Sequence, residues 1–205
     1  ELFRRLSIER LKNWLALAEE RLKNSGIKVF MAPGNDDVLE ANEVLDSSQC
    51  IIDADEKKVE IDGYEMVTLS WSNPTPWLTP RECSEDKLKK KIDNLASQIK
   101  NMENAIFNFH VPPYGTVLDQ APKLSEDLVP SAGEVVNVGS TAVLEAIKNH
   151  QPLAGLHGHI HESRGIQKIG RTVCINPGSE YTEGILSGAI VTLDKGKVNC
   201  MFTSG

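Results

Sequence analysis

Three short apolar runs, each ending abruptly in residues able to bind a metal, constrain this chain more than any other feature. Ile27–Ala32 stops at Pro33-Gly34-Asn35-Asp36-Asp37, Ala105–Phe109 stops at His110, and Pro152–Leu156 runs into His157-Gly158-His159-Ile160-His161. Runs of this length read as buried strands. The helical spacing of Ile8, Leu11, Leu15, Ala18 and Leu22, closed by Asn24-Ser25-Gly26, marks a helix ahead of the first run. Loops at the C-terminal ends of strands in an α/β sheet line its functional crevice, so Asn35, His110, His159 and His161 can converge there although they are far apart in sequence.

The rest of the chain extends the same pattern. A short helix is expected over 38–45, followed by the apolar stretch Cys50-Ile51-Ile52. Val59–Ile61 and Glu65–Trp71 flank Asp62-Gly63, which predicts a hairpin. Thr79-Pro80-Arg81-Glu82 carries the cap, the N1 proline and the capping-box acid of a helix start, with Leu88, Ile92, Leu95 and Ile99 as its inner face. Ser140 predicts a second cap, with Val143, Leu144 and Ile147 inward. Strands follow at 172–175, 189–193 and 198–202, with Asp194-Lys195-Gly196 as a turn. Alternating helices and strands, then antiparallel strands, predict a mixed α/β sandwich.

Composition narrows the function. A net charge of -7 argues against a protein that grips a nucleic-acid backbone, which needs a basic face. No apolar run approaches the roughly 20 residues that span a bilayer, so no membrane association is expected. The four cysteines are widely spaced with no C-x-x-C pair and read as reduced thiols in a cytoplasmic protein. An acidic protein that handles phosphate must draw positive charge from elsewhere, and bound cations are the obvious source. The H-x-H spacing fits that reading, because residues two apart in an extended segment face the same way.

Gly34-Asn35-Asp36-Asp37, His110 and Gly158-His159-Ile160-His161, with the turn Asn176-Pro177-Gly178-Ser179, resemble the calcineurin-like metallophosphoesterases. The likeness is nearest to the small prokaryotic branch with a Gly-Asn-Asp motif. It implies an α/β fold, a four-layer αββα sandwich of two mixed sheets. It implies hydrolysis of a phosphodiester or phosphomonoester, nucleotides included, by a hydroxide held between two divalent ions (Mn, Fe, Zn or Ni). Asn35, His110 and His159 would bind the second ion and His161 the first.

The sequence departs from that family twice. An Asp-x-His and a Gly-Asp motif should precede Asn35, yet residues 1–28 hold no histidine and no aspartate. The expectation is therefore a single domain, 1–205, lacking an N-terminal portion of about 60–80 residues, enough for two strand–helix units. Without those strands a sheet edge and apolar faces would stand open. Secondly, Asp36 occupies the place of a histidine that assists the leaving group. As a catalytic acid it needs a pKa raised by burial or by Asp37; otherwise it orients His110 or a bound water.

Other residues invite lesser roles. His157 reads as a hydrogen-bonding partner before a ligand. Tyr114, Thr116 and Asp119 read equally as substrate contacts or as a proline-shaped surface loop. Trp71 and Trp77 could stack on a base but more often cover a core edge. His150 reads as a helix C-terminal residue, and Arg171 as a phosphate contact or the partner of an acid. The alternative function is a catalytically silent scaffold of the same fold that binds partner proteins. A metallo-β-lactamase-like hydrolase ranks last, because there the histidine cluster comes early with an aspartate embedded. Substrate and oligomeric state are not legible in the sequence.

Overall fold

The computed structural model describes residues 1–205, Ala132 by its main chain alone. The first helix, α1 (Leu2–Leu22), sets its apolar stripe of Ile8, Leu11, Leu15, Ala18 and Leu22 against α2 (Ala41–Asp46) and the parallel pair β1 (Val29–Met31) and β2 (Ile51–Asp53). Just beyond β2, Asp55 bridges to Thr68 and so links this unit to the larger sheet.

That sheet begins with β3 (Lys58–Ile61) and β4 (Tyr64–Leu69), joined at Asp62-Gly63. Both turn residues have positive φ, 49° and 87°, as a two-residue hairpin turn requires. Four more strands complete it: β5 (Ala105–Phe109), β8 (Ala154–Leu156), β9 (Gly165–Ile169) and β10 (Thr172–Asn176). The order is β3-β4-β5-β8-β10-β9, parallel through the middle and antiparallel at both edges.

One face of this sheet carries α3 (Glu85–Ala96) and α4 (Thr141–His150). Leu88, Ile92, Leu95, Val143 and Ile147 from the helices pack with Val67, Leu69, Phe107, Phe109 and Cys174 from the strands. Strand alternation sends the intervening residues to the opposite face. There Thr68, Asn108 and Leu156, register neighbours, line a cavity of about 180 Å³ together with Ala32 and Pro33 beyond β1. Ser140 accepts the Val143 N–H as expected of the cap. The Glu85 carboxylate accepts the Thr141 and Ala142 N–H groups as well, tying the two helices together.

The mixed α/β class expected from the sequence is present. Three local expectations change. The helix expected from Thr79 begins at Glu85, because the Glu82 carboxylate is drawn into the preceding loop. A hairpin of β6 (Gln120–Leu124) and β7 (Pro130–Asn137) was not expected, since Pro122 and Pro130 fall inside it. The segment after Leu156 is also not extended. His159 takes a left-handed φ of 65°, so the strand-alternation argument for H-x-H does not hold there.

The last hairpin, β11 (Ser187–Asp194) and β12 (Lys197–Ser204), pairs only with itself among the described residues. The second edge of β1 likewise has no strand partner among them. Phe3, Leu6, Trp14 and Leu17 on α1 and Ile190 and Met201 on the hairpin are exposed. Among the described residues no helix is long and apolar enough to cross a membrane.

Phe107 is fully buried in the larger core, so Phe107→Ala should cost about 3–5 kcal/mol, whereas Phe3→Ala on the exposed face should cost under about 0.5 kcal/mol. Urea unfolding with an unchanged slope checks both values.

Candidate metal centre

Parallel strands place the site. β1, β4, β5 and β8 run the same way or are tied in that sense, so their C-terminal ends meet along one edge. His110 is the residue after β5. Its N–H donates to the Leu69 carbonyl, and its own carbonyl accepts the Gly158 N–H at 2.9 Å. These bonds continue the sheet ladder by one residue and fix the start of the imidazole. Asn35 sits in the loop after β1, where the Asp37 carboxylate accepts the Gly34 N–H at 2.7 Å. A Cβ on Gly34 would lie 3.1 Å from His110 Cε1, so glycine lets the loop settle onto the ring.

The left-handed backbone at His159 turns its ring toward the same point. The Asn35 Oδ1 lies 2.9 Å from His110 Nε2 and 2.9 Å from His159 Nδ1. The two rings meet edge-on with centroids 5.1 Å apart. Burial, with a contribution from the neighbouring histidines, pushes His110 down to about 3. Burial, aided by His161, pushes His159 down to about 4. Both imidazoles are therefore neutral near pH 7, the form in which histidine binds metal.

These three side chains fit a divalent cation. Donor atoms adjacent to one another on a metal bonded at about 2.1 Å lie roughly 3 Å apart. The 2.9 Å separations from Asn35 Oδ1 to the two ring nitrogens match that spacing. Oxygen and nitrogen donors without thiolate suit manganese, iron, nickel or zinc.

The Asn35 amide is held from behind. Its Nδ2 donates to Thr79 Oγ1 at 2.8 Å, and the Thr79 hydroxyl donates to Glu82 Oε1. Glu82 also accepts the Thr79 N–H and the Thr75 N–H, each at 2.9 Å, and the Thr75 hydroxyl at 2.6 Å. Burial pushes the Glu82 carboxyl up, but the bonds from Thr75 and Thr79 outweigh it and hold the group below its usual range. Arg81 grips the main chain of the same loop. Its N–H donates to the Asn35 carbonyl at 3.0 Å, and its guanidinium donates to the carbonyls of Asp37, Val38 and Leu39. The guanidinium also meets Asp55 at 3.3 Å, both groups being buried.

Of the residues singled out in the sequence, Asn35, His110 and His159 come together. His161 is exposed, its ring edge-on to Tyr181 with centroids 5.4 Å apart. Among the described residues no three His, Cys, Asp or Glu side chains are grouped closely enough to hold an ion. Asp36 is exposed. His157 is buried, its Nδ1 donates to the Phe109 carbonyl at 2.9 Å, and its Nε2 lies toward Gly155 and Cys174. It supports the core side of the site. Asp119 is buried and accepts the N–H groups of Gly115, Thr116 and Gly139, so it pins the loop; Tyr114 remains half-exposed.

Trp71 is occupied by Glu56, which accepts its indole N–H, and by the Lys91 ammonium 4.5 Å above its ring, whereas Trp77 is exposed. Arg171 pairs with Glu103, and His150 ends α4. All four cysteines are free. Thr79, Arg81 and Glu82 were not recognised as site residues from sequence. Their only signal, T-x-x-E after a proline-rich stretch, is shared with ordinary helix starts.

No family model matches the chain. Over 153 residues it is 35% identical to the uncharacterized protein MJ1162 of Methanocaldococcus jannaschii, a match covering 74% of this chain and 64% of that protein. The chain thus spans less than two thirds of this relative's length. One crystal structure superposes with a TM-score of 0.68 at 21% identity, covering 97% of this chain and 73% of that one. The crystal structure of TT1561 of Thermus thermophilus gives 0.62 at 17% identity, covering 95% and 79%. These likenesses establish a shared fold. An archaeal phosphodiesterase gives a TM-score of 0.34 at 17% identity over 92% of this chain and 91% of that one.

Arg81→Leu should destabilise the protein by about 3 kcal/mol, because it strands the buried Asp55 carboxylate and frees three loop carbonyls. Thermal and urea unfolding check this. A loss under about 0.5 kcal/mol would show that the clamp is not formed.

Proposed function

We propose that the chain carries the metal site of a divalent-metal-dependent phosphoric ester hydrolase of the calcineurin-like type. The observation that supports it is the convergence of Asn35 Oδ1 with the neutral nitrogens of His110 and His159 at 2.9 Å. Asn35, His110 and His159 would hold one ion. His161, on the same loop, would contribute to a second. Bound there, the ions supply Lewis acidity, which offsets charge on phosphoryl oxygens and lowers the pKa of water.

The protein's own residues account for the rest. An amide and two neutral imidazoles carry no charge, so the donors leave the cation's charge available to an anionic phosphate ester. That suits a chain whose net charge is -7. Asp36, next to Asn35, is exposed and lacks the burial that a proton donor needs, so its role beside the ion would be to orient a bound water. The substrate is a small phosphodiester or phosphomonoester, nucleotides included, and Trp77, which is exposed, could stack on a base. The chain would belong to one metallophosphoesterase domain of a cytoplasmic protein.

A second reading, a scaffold of this fold that binds partner proteins, is favoured by the exposed apolar residues Phe3, Leu6, Trp14 and Leu17 on α1. Metal uptake separates the two readings. With Mn²⁺ the whole protein should hydrolyse bis-p-nitrophenyl phosphate or p-nitrophenyl phosphate, chelation should abolish turnover, and His159→Ala should lower it by at least about 100-fold. Turnover indifferent to chelation, or no metal uptake at all, would contradict the enzyme reading.

A further inference from the structure

An asparagine amide can present either of its two ends to a site, and only its oxygen can bind a cation or accept from an imidazole N–H. Something must therefore set the polarity of Asn35. The structure contains a chain of groups able to do so. Glu82, as a carboxylate, only accepts hydrogen bonds, and it takes the single hydroxyl proton of Thr79. Thr79 Oγ1 then has only lone pairs left for Asn35. Facing a pure acceptor, the amide must turn its Nδ2 toward Thr79, where the distance is 2.8 Å. Its Oδ1 is thereby directed at His110 and His159.

The main chain is fixed in parallel, because the N–H of Arg81 donates to the Asn35 carbonyl at 3.0 Å. Glu82 is itself anchored by the Thr75 N–H and hydroxyl and by the Thr79 N–H, so its acceptor atoms cannot easily rotate away. Loop strain adds to the case for a held segment: Leu78, just before Thr79, has a φ of 52°.

We propose that Thr79, oriented by Glu82, is a positioning residue that imposes the polarity of the Asn35 amide and thereby readies its oxygen for a divalent cation. This deepens, and rests on, the reading of Asn35, His110 and His159 as a metal site. The relay works through orientation, so it matters only while the two ends of residue 35 differ. In Asn35→Asp they are chemically alike, and the influence of Thr79 on metal affinity should vanish.

The test is Mn²⁺ binding by calorimetry to the 205-residue chain and its variants. Thr79→Val keeps the shape and removes the hydroxyl; it should weaken Mn²⁺ binding about 10- to 100-fold, the usual cost of losing a group that orients a ligand. Thr79→Ser, which keeps the hydroxyl, should stay within about threefold of the parent. In the Asn35→Asp background, Thr79→Val should weaken binding by less than about threefold, whereas a merely structural role would carry the full loss into that background. Equal affinity of the parent and Thr79→Val, or the same loss in both backgrounds, would overturn the proposal.

A metal-free readout separates this from failure of the site itself. The Asn35 side-chain NH₂ protons should exchange slowly with water in the parent and Thr79→Ser and rapidly in Thr79→Val. Equal exchange would overturn the relay whether or not Mn²⁺ binds. A parent that shows the exchange difference but takes up no Mn²⁺ would uphold the relay and overturn the metal reading.

Discussion

One oxygen atom, Asn35 Oδ1, organises the site, because two imidazoles from the loops after β5 and β8 turn their nitrogens to it at 2.9 Å. The remaining features serve to bring that atom and those rings to one place. Parallel pairing of β4, β5 and β8 delivers His110 and His159 to the same sheet edge. The β1 loop crosses to them over a glycine that tolerates the His110 ring at close range. Burial keeps both rings neutral, so they set no positive charge against a cation.

The two cores divide the work of support. The α3–α4 layer packs on Phe107, Phe109 and Cys174 and stiffens the strands that carry the histidines. The smaller core of α1, α2, β1 and β2 carries the Asn35 loop. A buried polar join connects them: Arg81 binds the loop carbonyls and Asp55, while Asp55 accepts the Ser70 N–H and hydroxyl at 2.8 Å each. Buried ion pairs seldom add much net stability, but breaking one is costly, so such a join fixes a unique arrangement. Position of the loop relative to the histidines therefore depends on polar bonds with defined directions.

Much of this was readable from residues with strong local chemistry. Asp62-Gly63 and Lys195-Gly196 required positive φ and formed the expected hairpins. The apolar run ending at His110 became β5 with the expected bounds, and Ser140 capped α4. The proline-containing β6–β7 hairpin was not readable, because its pairing overrides a local sequence that argues against strands. His159 converges for a different reason from the one expected: a left-handed backbone, rather than strand alternation, aims its ring. Thr79-Pro80-Arg81-Glu82 is the most instructive case. Glu82 does bond back to the Thr79 N–H as in a capping box, but the motif closes a loop against Asn35 instead of opening a helix. Identical local bonds served both readings, and only the tertiary partner separated them.

The most direct measurement is a Mn²⁺ titration followed through the imidazole nitrogen signals of the five histidines. Paramagnetic broadening at substoichiometric Mn²⁺ should strike His110 and His159 first and leave His150, at the end of α4, sharp. Broadening that spares His110 and His159, or falls on all five alike, would contradict a cation site built on Asn35.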